Sequence, residues 1–207
     1  MILGFLRSFL LALLGLPVSI LGLGVVWFAL PYRRTVGEAK PFTQYPDLGN
    51  WQLVRLPSWA LWWDNAFDGV YGDKRGWWAN YCIPQYGSTF DSRKCMWYWT
   101  ALRNPANYFS RNVCGIDVST IRVEKVAGNI HDESVAPYRG WFLLRGTDGK
   151  RIYPRLYMEF AIHGNKGLML DFGYKIKLSH NGTPADAPEK DRVKGIVFVV
   201  SPWKELS

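Results

Sequence analysis

The side chains that could carry chemistry gather in the tryptophan-rich middle of this sequence. Eight of the eleven tryptophans lie between Trp51 and Trp99, with polar residues interspersed among them. A charged group that is buried in aromatic surroundings must be paired, so these residues predict one connected polar network. Its candidate members are Asp64, Asp73, Lys74, Arg75, Arg103 and Asn104. Such a network is either the polar pocket of an enzyme or a structural set of ion pairs, and we favour the second interpretation.

Motifs of established catalytic or metal-binding classes are missing from the sequence. It has no nucleophile elbow, no phosphate-binding loop and no zinc-binding His-Glu-x-x-His helix. Residues 64–73 resemble a calcium-binding loop, but Arg75 stands at the twelfth position, where a bidentate Glu is needed. His131, Asp132 and Glu133 form a local cluster of titratable groups in a predicted loop. We therefore expect no metal and no cofactor, and we lean toward a protein without enzymatic activity.

The first 34 residues predict a membrane anchor. Residues 9–30 run for 22 positions without a charge. A helix of that length spans about 33 Å, against roughly 30 Å for the hydrocarbon core of a bilayer. Two alternatives stay open for this segment. One is a signal peptide that is cleaved, and the other is a re-entrant hairpin that bends at Pro17.

Aromatic and basic residues flank this apolar stretch and recur shortly after it. Trp and Tyr rings favour the headgroup region of a bilayer because one end of each ring is apolar and the other is wet. The expected membrane-interface residues are Trp27, Tyr32, Arg33, Arg34, Trp59, Trp62 and Trp63. The alternative for the last three is the core of a small helical layer, since their spacing places them on one helical face.

The remainder of the chain predicts an α+β fold behind the transmembrane helix. We expect a linker at residues 35–57 and a single domain at 58–207. Within that domain, residues 58–112 form a tryptophan-rich helical part and residues 113–207 a β-rich part. Helices are predicted to begin at Ser58 and at Ser92, and the second should end before Pro105.

Alternation of apolar and polar residues begins near Gly140 and is typical of half-buried strands. It predicts an antiparallel meander of four or five strands with one packed face and one solvated face. One apolar set on a single face comprises Leu156, Met158, Phe160 and Ile162, and another comprises Leu168, Leu170, Phe172, Tyr174, Ile176 and Leu178.

Charge and cysteine content bear on partners and compartment. The net charge of +8 is spread along the chain, so nucleic acid is not expected as a partner. Arg33 and Arg34 outweigh Arg7, which places the side after the anchor in the cytoplasm. Three widely spaced cysteines predict reduced thiols, as in a cytoplasmic protein, and they are Cys82, Cys95 and Cys114.

Four stretches of this sequence resemble an uncharacterised protein family that is encoded by tailed bacteriophages. They are residues 62–64 with 72–78, residues 97–99 with 103–109, residues 140–142, and residues 172–176. The most specific part is Arg103-Asn104-Pro105 after paired aromatics, and the resemblance covers about residues 60–178. It implies a phage source and no particular activity.

These observations lead to one expected function and two alternatives. We expect a single-pass protein of the host inner membrane with its domain in the cytoplasm, acting as a non-catalytic module. Its partners would be the lipid bilayer and an unidentified protein, and its oligomeric state stays open. The alternatives are an enzyme that uses the polar network and a virion component that contacts DNA or the membrane.

Overall fold

One long helix opens the chain and contributes to both of its structural units. The structure, a computed structural model, describes residues 1–39, 51–66, 68–71, 92–133, 139–178 and 193–205. The sheet unit comprises Met1–Leu14 and Cys114–Ser207, and the tryptophan unit comprises Gly15–Val113. Helix α1 (Ile2–Ala29) has 28 residues and continues through Pro17. The re-entrant hairpin that the sequence left open is therefore not formed.

Helix α1 is long and apolar enough to cross a membrane, judged by its length and composition. Its two serines form local hydrogen bonds. The Ser8 hydroxyl donates to the Phe5 carbonyl at 2.8 Å, and the Ser19 hydroxyl donates to the Gly15 carbonyl at 3.0 Å. Bonds of this kind satisfy a hydroxyl without water, so the serines are compatible with apolar surroundings.

The tryptophan unit contains one β-hairpin and several short helices. Strands β1 (Arg34–Ala39) and β2 (Trp51–Arg55) pair in antiparallel fashion. This hairpin lies in the segment that was expected to be a linker. The helix predicted at Ser58 is present as a single 3₁₀ helix (Ser58–Trp63).

The second predicted helix of this unit lies where the sequence placed it. Ser92 caps helix α2 (Arg93–Trp97) by accepting a hydrogen bond from the Cys95 amide. The chain then widens into π-helical turns (Tyr98–Arg103), which end at Asn104. The expected stop before Pro105 is confirmed. A second π-helical segment (Phe109–Val113) completes the unit.

The sheet unit is built on a five-stranded antiparallel sheet with the order β4-β5-β6-β7-β9. Its strands are β4 (Arg122–Gly128), β5 (Arg139–Thr147), β6 (Ile152–His163), β7 (Lys166–Tyr174) and β9 (Ile196–Glu205). A smaller sheet pairs β3 (Ile116–Asp117) with β8 (Val193–Lys194). The predicted α+β class and the predicted five-stranded meander are confirmed.

Each unit has its own apolar core. The core of the sheet unit covers one side of the large sheet, the inner face, and comprises Val118, Ile121, Val123, Ile130, Phe142, Leu144, Tyr153, Tyr157, Tyr174 and Ile176. The core of the tryptophan unit comprises Val26, Ala29, Leu30, Val54, Leu56, Ala60, Val70, Cys95, Met96, Trp99 and Ala101. The end of α1 therefore belongs to a folded core.

The cysteines depart from the expectation of reduced thiols. Cys95 is disulfide-bonded, and Cys114 is a free, buried thiol. Burial raises the pKa of the Cys114 thiol, which keeps it protonated and unreactive. The wide spacing of the cysteines concealed the disulfide, because distance along the chain does not limit distance in the fold.

Candidate functional site

Asp64 is the member of the predicted polar network that the structure describes most fully. Its carboxylate is buried and accepts hydrogen bonds from the Leu56 amide at 3.1 Å and the Asn65 amide at 2.7 Å. Arg55 approaches it to 3.6 Å and also donates to the Asn65 carbonyl at 3.0 Å. Burial raises the pKa of Asp64 to about 7, against the lowering effect of Arg55 and the two amides.

The rest of the predicted network is only partly brought together. Asn104 lies at the end of the π-helical turns, where its amide nitrogen donates to the Trp99 carbonyl at 3.1 Å. Arg103 is exposed on the same segment. Asp73, Lys74 and Arg75 lie outside the described residues. The cation beside Asp64 is Arg55, which the sequence analysis did not single out. The Asp64 side chain holds nearby backbone in place, and its carbonyl accepts a hydrogen bond from the Tyr108 amide at 2.9 Å.

The predicted membrane-interface residues divide into exposed and packed groups. Tyr32, Arg34, Trp59 and Trp62 are exposed. The Arg33 guanidinium donates to the Leu30 carbonyl at 3.2 Å. Trp27 and Trp63 instead pack within the tryptophan unit, so the sequence could not separate the two roles it proposed for these aromatics.

Two indole groups bind the main chain of α1 within the tryptophan unit. Trp63 Nε1 donates to the Val18 carbonyl at 2.6 Å, and Trp97 Nε1 donates to the Leu23 carbonyl at 2.7 Å. A Cβ at Gly22 would lie 2.7 Å from Cδ1 of Trp63, so glycine is needed for this approach. The Arg93 guanidinium lies 4.2 Å from the centre of the Trp27 ring, as in a cation–π contact.

The first half of α1 makes equally specific contacts inside the sheet unit. Arg7 Nε donates to the Tyr174 hydroxyl at 2.7 Å, and Arg7 Nη2 donates to the Ile152 carbonyl at 3.0 Å. A Cβ at Gly4 would lie 2.5 Å from Cδ of Pro154. Small residues thus allow close packing on one side of the helix.

The other side of α1 is apolar and uncovered. Only 11% of its most apolar 18-residue window is buried. The large exposed side chains are Ile2, Leu3, Leu6, Phe9, Leu10, Leu13, Leu14, Leu16, Ile20, Leu21, Leu23 and Phe28. An apolar surface of this extent marks a contact with protein or membrane.

A buried ionic network on the inner face of the sheet escaped the sequence analysis. The Arg155 side chain is 1% exposed and binds Asp171 through two parallel hydrogen bonds of 2.9 and 2.8 Å. Arg155 Nη1 also donates to the Ile176 carbonyl at 2.8 Å and lies 3.4 Å from Glu133. Lys177 extends the network, at 3.1 Å from Glu133.

The network has a neighbouring branch on the same strand. The Tyr157 hydroxyl donates to the buried Glu159 carboxylate, which also binds Lys204 Nζ at 2.5 Å. Burial, followed by the bond to Glu159, raises the pKa of the Tyr157 hydroxyl well above its usual range. Each carboxylate here has a cationic or hydroxyl donor, which is the arrangement of a structural network rather than of a catalytic base.

The opposite side of the sheet, the outer face, is apolar apart from an exposed ion pair of Arg145 with Glu124 at its β4–β5 edge. Strand register aligns Leu156 with Phe172, Met158 with Leu170, and Phe160 with Leu168. The outer face comprises Trp141, Leu143, Leu156, Met158, Phe160, Ile162, Leu168, Leu170, Phe172, Phe198 and Val200, each exposed or half-buried. The predicted alternation is confirmed as far as Phe172, but this part of the apolar set lies on the uncovered side. Strand β7 ends at Tyr174, and Tyr174 and Ile176, which were predicted on the same face as Phe172, are buried in the inner core.

A basic cleft lies at the beginning of α1 within the sheet unit. Its volume is about 610 Å³, and it is lined by Met1, Ile2, Leu3, Gly4, Arg7, Lys150, Arg151 and Ile152. Two arginines and one lysine give the cleft positive charge. Asp148 lies beside it, where a hydrogen bond from Tyr153 and the amides of Arg151 and Lys150 lower the pKa of the Asp148 carboxyl to about 2.

Metal ligation finds no support in the part of the chain that the structure describes, since no three His, Cys, Asp or Glu side chains there could hold an ion together. Comparison with known proteins gives one match. A model described as "Family of unknown function (DUF7338)" matches residues 1–207. No curated protein and no solved structure matches the chain.

Proposed function

Since the chain belongs to the DUF7338 family of unknown function, we propose its function from its own structure. We propose that it is a membrane-attached phage protein without catalytic activity, which α1 fixes to the inner membrane of the host. Its folded part would then act by binding a protein or the membrane surface. The phage source rests on the sequence resemblance alone.

The observation that carries this proposal is the two-sided character of α1. One side packs through Gly4, Ser8 and Gly22, while twelve large apolar side chains on the helix are exposed. Water-exposed apolar area costs roughly 25 cal/mol per Å², so a surface of this size favours transfer into lipid. The described carboxylates, in contrast, are held in satisfied networks and do not favour the enzyme alternative.

The disulfide of Cys95 supports a proposal for the side of the membrane on which the folded part lies. Disulfides persist in oxidising compartments, so this bond favours a folded part that faces away from the cytoplasm. The sequence argument for the cytoplasmic side used reduced thiols together with Arg33 and Arg34. With the thiol argument removed, the two arginines remain, and their charges suit anionic headgroups of either leaflet. A membrane-impermeant thiol reagent, applied to intact cells before and after reduction, measures the side.

Alkaline extraction of membranes tests the attachment itself. The full chain should stay in the membrane pellet, and the double variant Leu14→Asp with Ile20→Asp should be released. Each aspartate at the centre of an inserted helix costs about 2.5 to 3.5 kcal/mol. Val36→Asp is the matched control, because Val36 is an exposed apolar residue outside α1 and should leave the protein in the pellet. Recovery of the unaltered chain in the soluble fraction would contradict the proposal.

A further inference from the structure

We infer that the outer face of the five-stranded sheet is a second membrane-binding surface, so that α1 lies in the plane of one leaflet of an anionic bilayer. This inference rests on the proposed function, because it takes α1 as the first attachment. In this arrangement α1 does not cross the bilayer. Instead, α1 and the outer face of the sheet are both partly immersed in one leaflet.

The outer face has the composition of a lipid-contacting surface. Ile162, Phe198 and Val200 are each more than half exposed, at 54%, 52% and 54%. Their neighbours on β6 and β7 are apolar as well, so the surface has no polar interruption between these strands. A water-facing sheet would carry polar residues at these positions.

Aromatic contacts make this face continuous with the exposed side of α1 inside the sheet unit. The Phe9 ring on α1 lies 5.7 Å from the Phe198 ring on β9. The Phe198 ring lies 4.9 Å from the Phe172 ring on β7. A leaflet that contacts the first half of α1 would therefore reach the sheet across these three rings.

The hydrogen bonds that α1 forms with the folded part of the chain argue against a helix that is surrounded by lipid on all sides. In the sheet unit Arg7 binds Tyr174, and in the tryptophan unit the indoles of Trp63 and Trp97 bind α1 carbonyls. If α1 crossed the bilayer with these contacts intact, strands and polar loops would have to enter the hydrocarbon. Unpaired backbone groups are costly there. An in-plane helix keeps every contact and exposes only its apolar side to lipid.

Charge identifies the lipid as anionic. The basic cleft beside α1 gathers Arg7, Lys150 and Arg151. Gly4 packs against Pro154, so the cleft borders the same end of the sheet as the start of α1. Lys and Arg side chains near a membrane surface bind anionic headgroups, and Trp203 on β9 is exposed where an interfacial ring would be favoured.

Backbone pairing limits the depth of immersion. Among the described strands, β9 is an edge of the sheet and pairs with β7 alone. Its outward amide and carbonyl groups need water or headgroups as partners. The sheet should therefore contact the membrane face-on, with apolar side chains at acyl-chain depth and the edge of β9 at headgroup level.

Photolabelling from the bilayer tests this arrangement on the full, unaltered chain. The protein is reconstituted into vesicles of phosphatidylcholine and phosphatidylglycerol that contain a phospholipid with a diazirine on its acyl chain. After illumination and trypsin digestion, label is measured in four peptides: residues 8–33 of α1, and residues 156–166, 167–175 and 195–204 of the outer face. Residues 112–122, which lie outside the proposed surface, serve as the control peptide.

The outcomes separate this inference from the proposed function. Label in all four peptides but not in residues 112–122 is the expected result. Label in residues 8–33 alone would overturn the sheet surface and leave the attachment by α1 intact. Absence of label from residues 8–33 would overturn both. Label in α1 alone together with a dimer in detergent would assign the outer face to a second copy of the chain, again against the inference.

A double variant tests the role of the basic cleft. Lys150→Gln with Arg151→Gln removes two exposed charges and leaves Arg7 and its contacts in place. Labelling of the three sheet peptides should fall about fivefold for each cation removed, while labelling of residues 8–33 stays constant. Omission of phosphatidylglycerol should reproduce the loss. Equal labelling of the sheet in vesicles with and without phosphatidylglycerol would exclude the anionic lipid.

Discussion

The two faces of the large sheet both depart from the usual distribution of polar and apolar residues. The inner face buries the charged side chains Arg155, Glu159 and Asp171 among aromatic rings. The outer face leaves Phe160, Ile162 and Phe198 exposed. In a water-soluble sheet the apolar face is covered and the charged residues face solvent. The exposed apolar side chains of the outer face fit the lipid contact that we propose. The charged side chains of the inner face pair with one another inside the core.

Removal of one inner-face carboxylate should lower the stability of the protein more than any other change considered below. Asp171→Ala leaves Arg155 buried without its bidentate partner, which should lower the free energy of unfolding by about 3 to 5 kcal/mol. The measurement is urea denaturation of detergent-solubilised protein, followed by circular dichroism. The control is Glu124→Gln, which breaks an exposed pair with Arg145 at 2.7 Å and should cost less than about 1 kcal/mol. Similar losses in both variants would show that the inner network has no special weight.

The pH dependence of stability extends the comparison to Asp64, the buried carboxylate of the tryptophan unit. Asp64 has a pKa of about 7 in the folded chain against an ordinary value of 3.8. Between these two pH values the folded chain therefore holds a proton on Asp64 that the unfolded chain has lost. Its contribution to stability is full below about pH 4 and is lost as the pH rises through 7, by up to about 1.4 kcal/mol for each pH unit. Asp64→Asn should flatten this slope in melting temperatures measured from pH 4 to 8. A slope that is unchanged in the variant would exclude Asp64 as its source.

Substitutions that disturb the packing of α1 should have the smallest effect on stability, and two glycines of this helix form a matched pair for the test. Gly22→Leu forces a side chain toward Trp63 and should cost about 1 to 3 kcal/mol. Gly24→Leu places the same side chain where no atom lies within 4 Å of the Cβ position, and it should leave stability unchanged or slightly higher. Thermal unfolding of both variants in the same detergent makes the comparison. Equal melting temperatures would mean that α1 does not pack on Trp63.

Local patterns allowed much of the fold to be predicted. The uncharged stretch gave α1, and the period-two alternation gave the strands of the large sheet with residues such as Leu156 and Met158 on a common face. Alternation defines two faces but does not say which of them is covered. That depends on what packs against the sheet, which is a tertiary property. The inner network was therefore missed, although Arg155 and Asp171 occupy alternate positions that the pattern itself displays.

The candidate site could be predicted less completely than the fold, because it depends on contacts between separate segments of the chain. Asp64 was expected in a network with Lys74, Arg75 and Arg103, but the cation found beside it is Arg55. Arg55 precedes Asp64 by nine positions and reaches it because the chain turns after Pro57. The tryptophans were correctly singled out as unusual. Their division into exposed rings and donors to α1 depends on the path of the helix, which composition does not contain.

The contacts of α1 also determine how long this helix waits for its partners while the chain is being synthesised. Arg7 binds a tyrosine that is 167 positions later in the chain. At about 5 to 20 residues per second, the first helix leaves the ribosome roughly 10 to 30 seconds before that partner is made. Throughout this interval the first half of α1 has no sheet partner, and its apolar side chains are available for other contacts. Targeting factors that recognise apolar segments can therefore bind it, and delivery to the membrane would precede folding of the sheet.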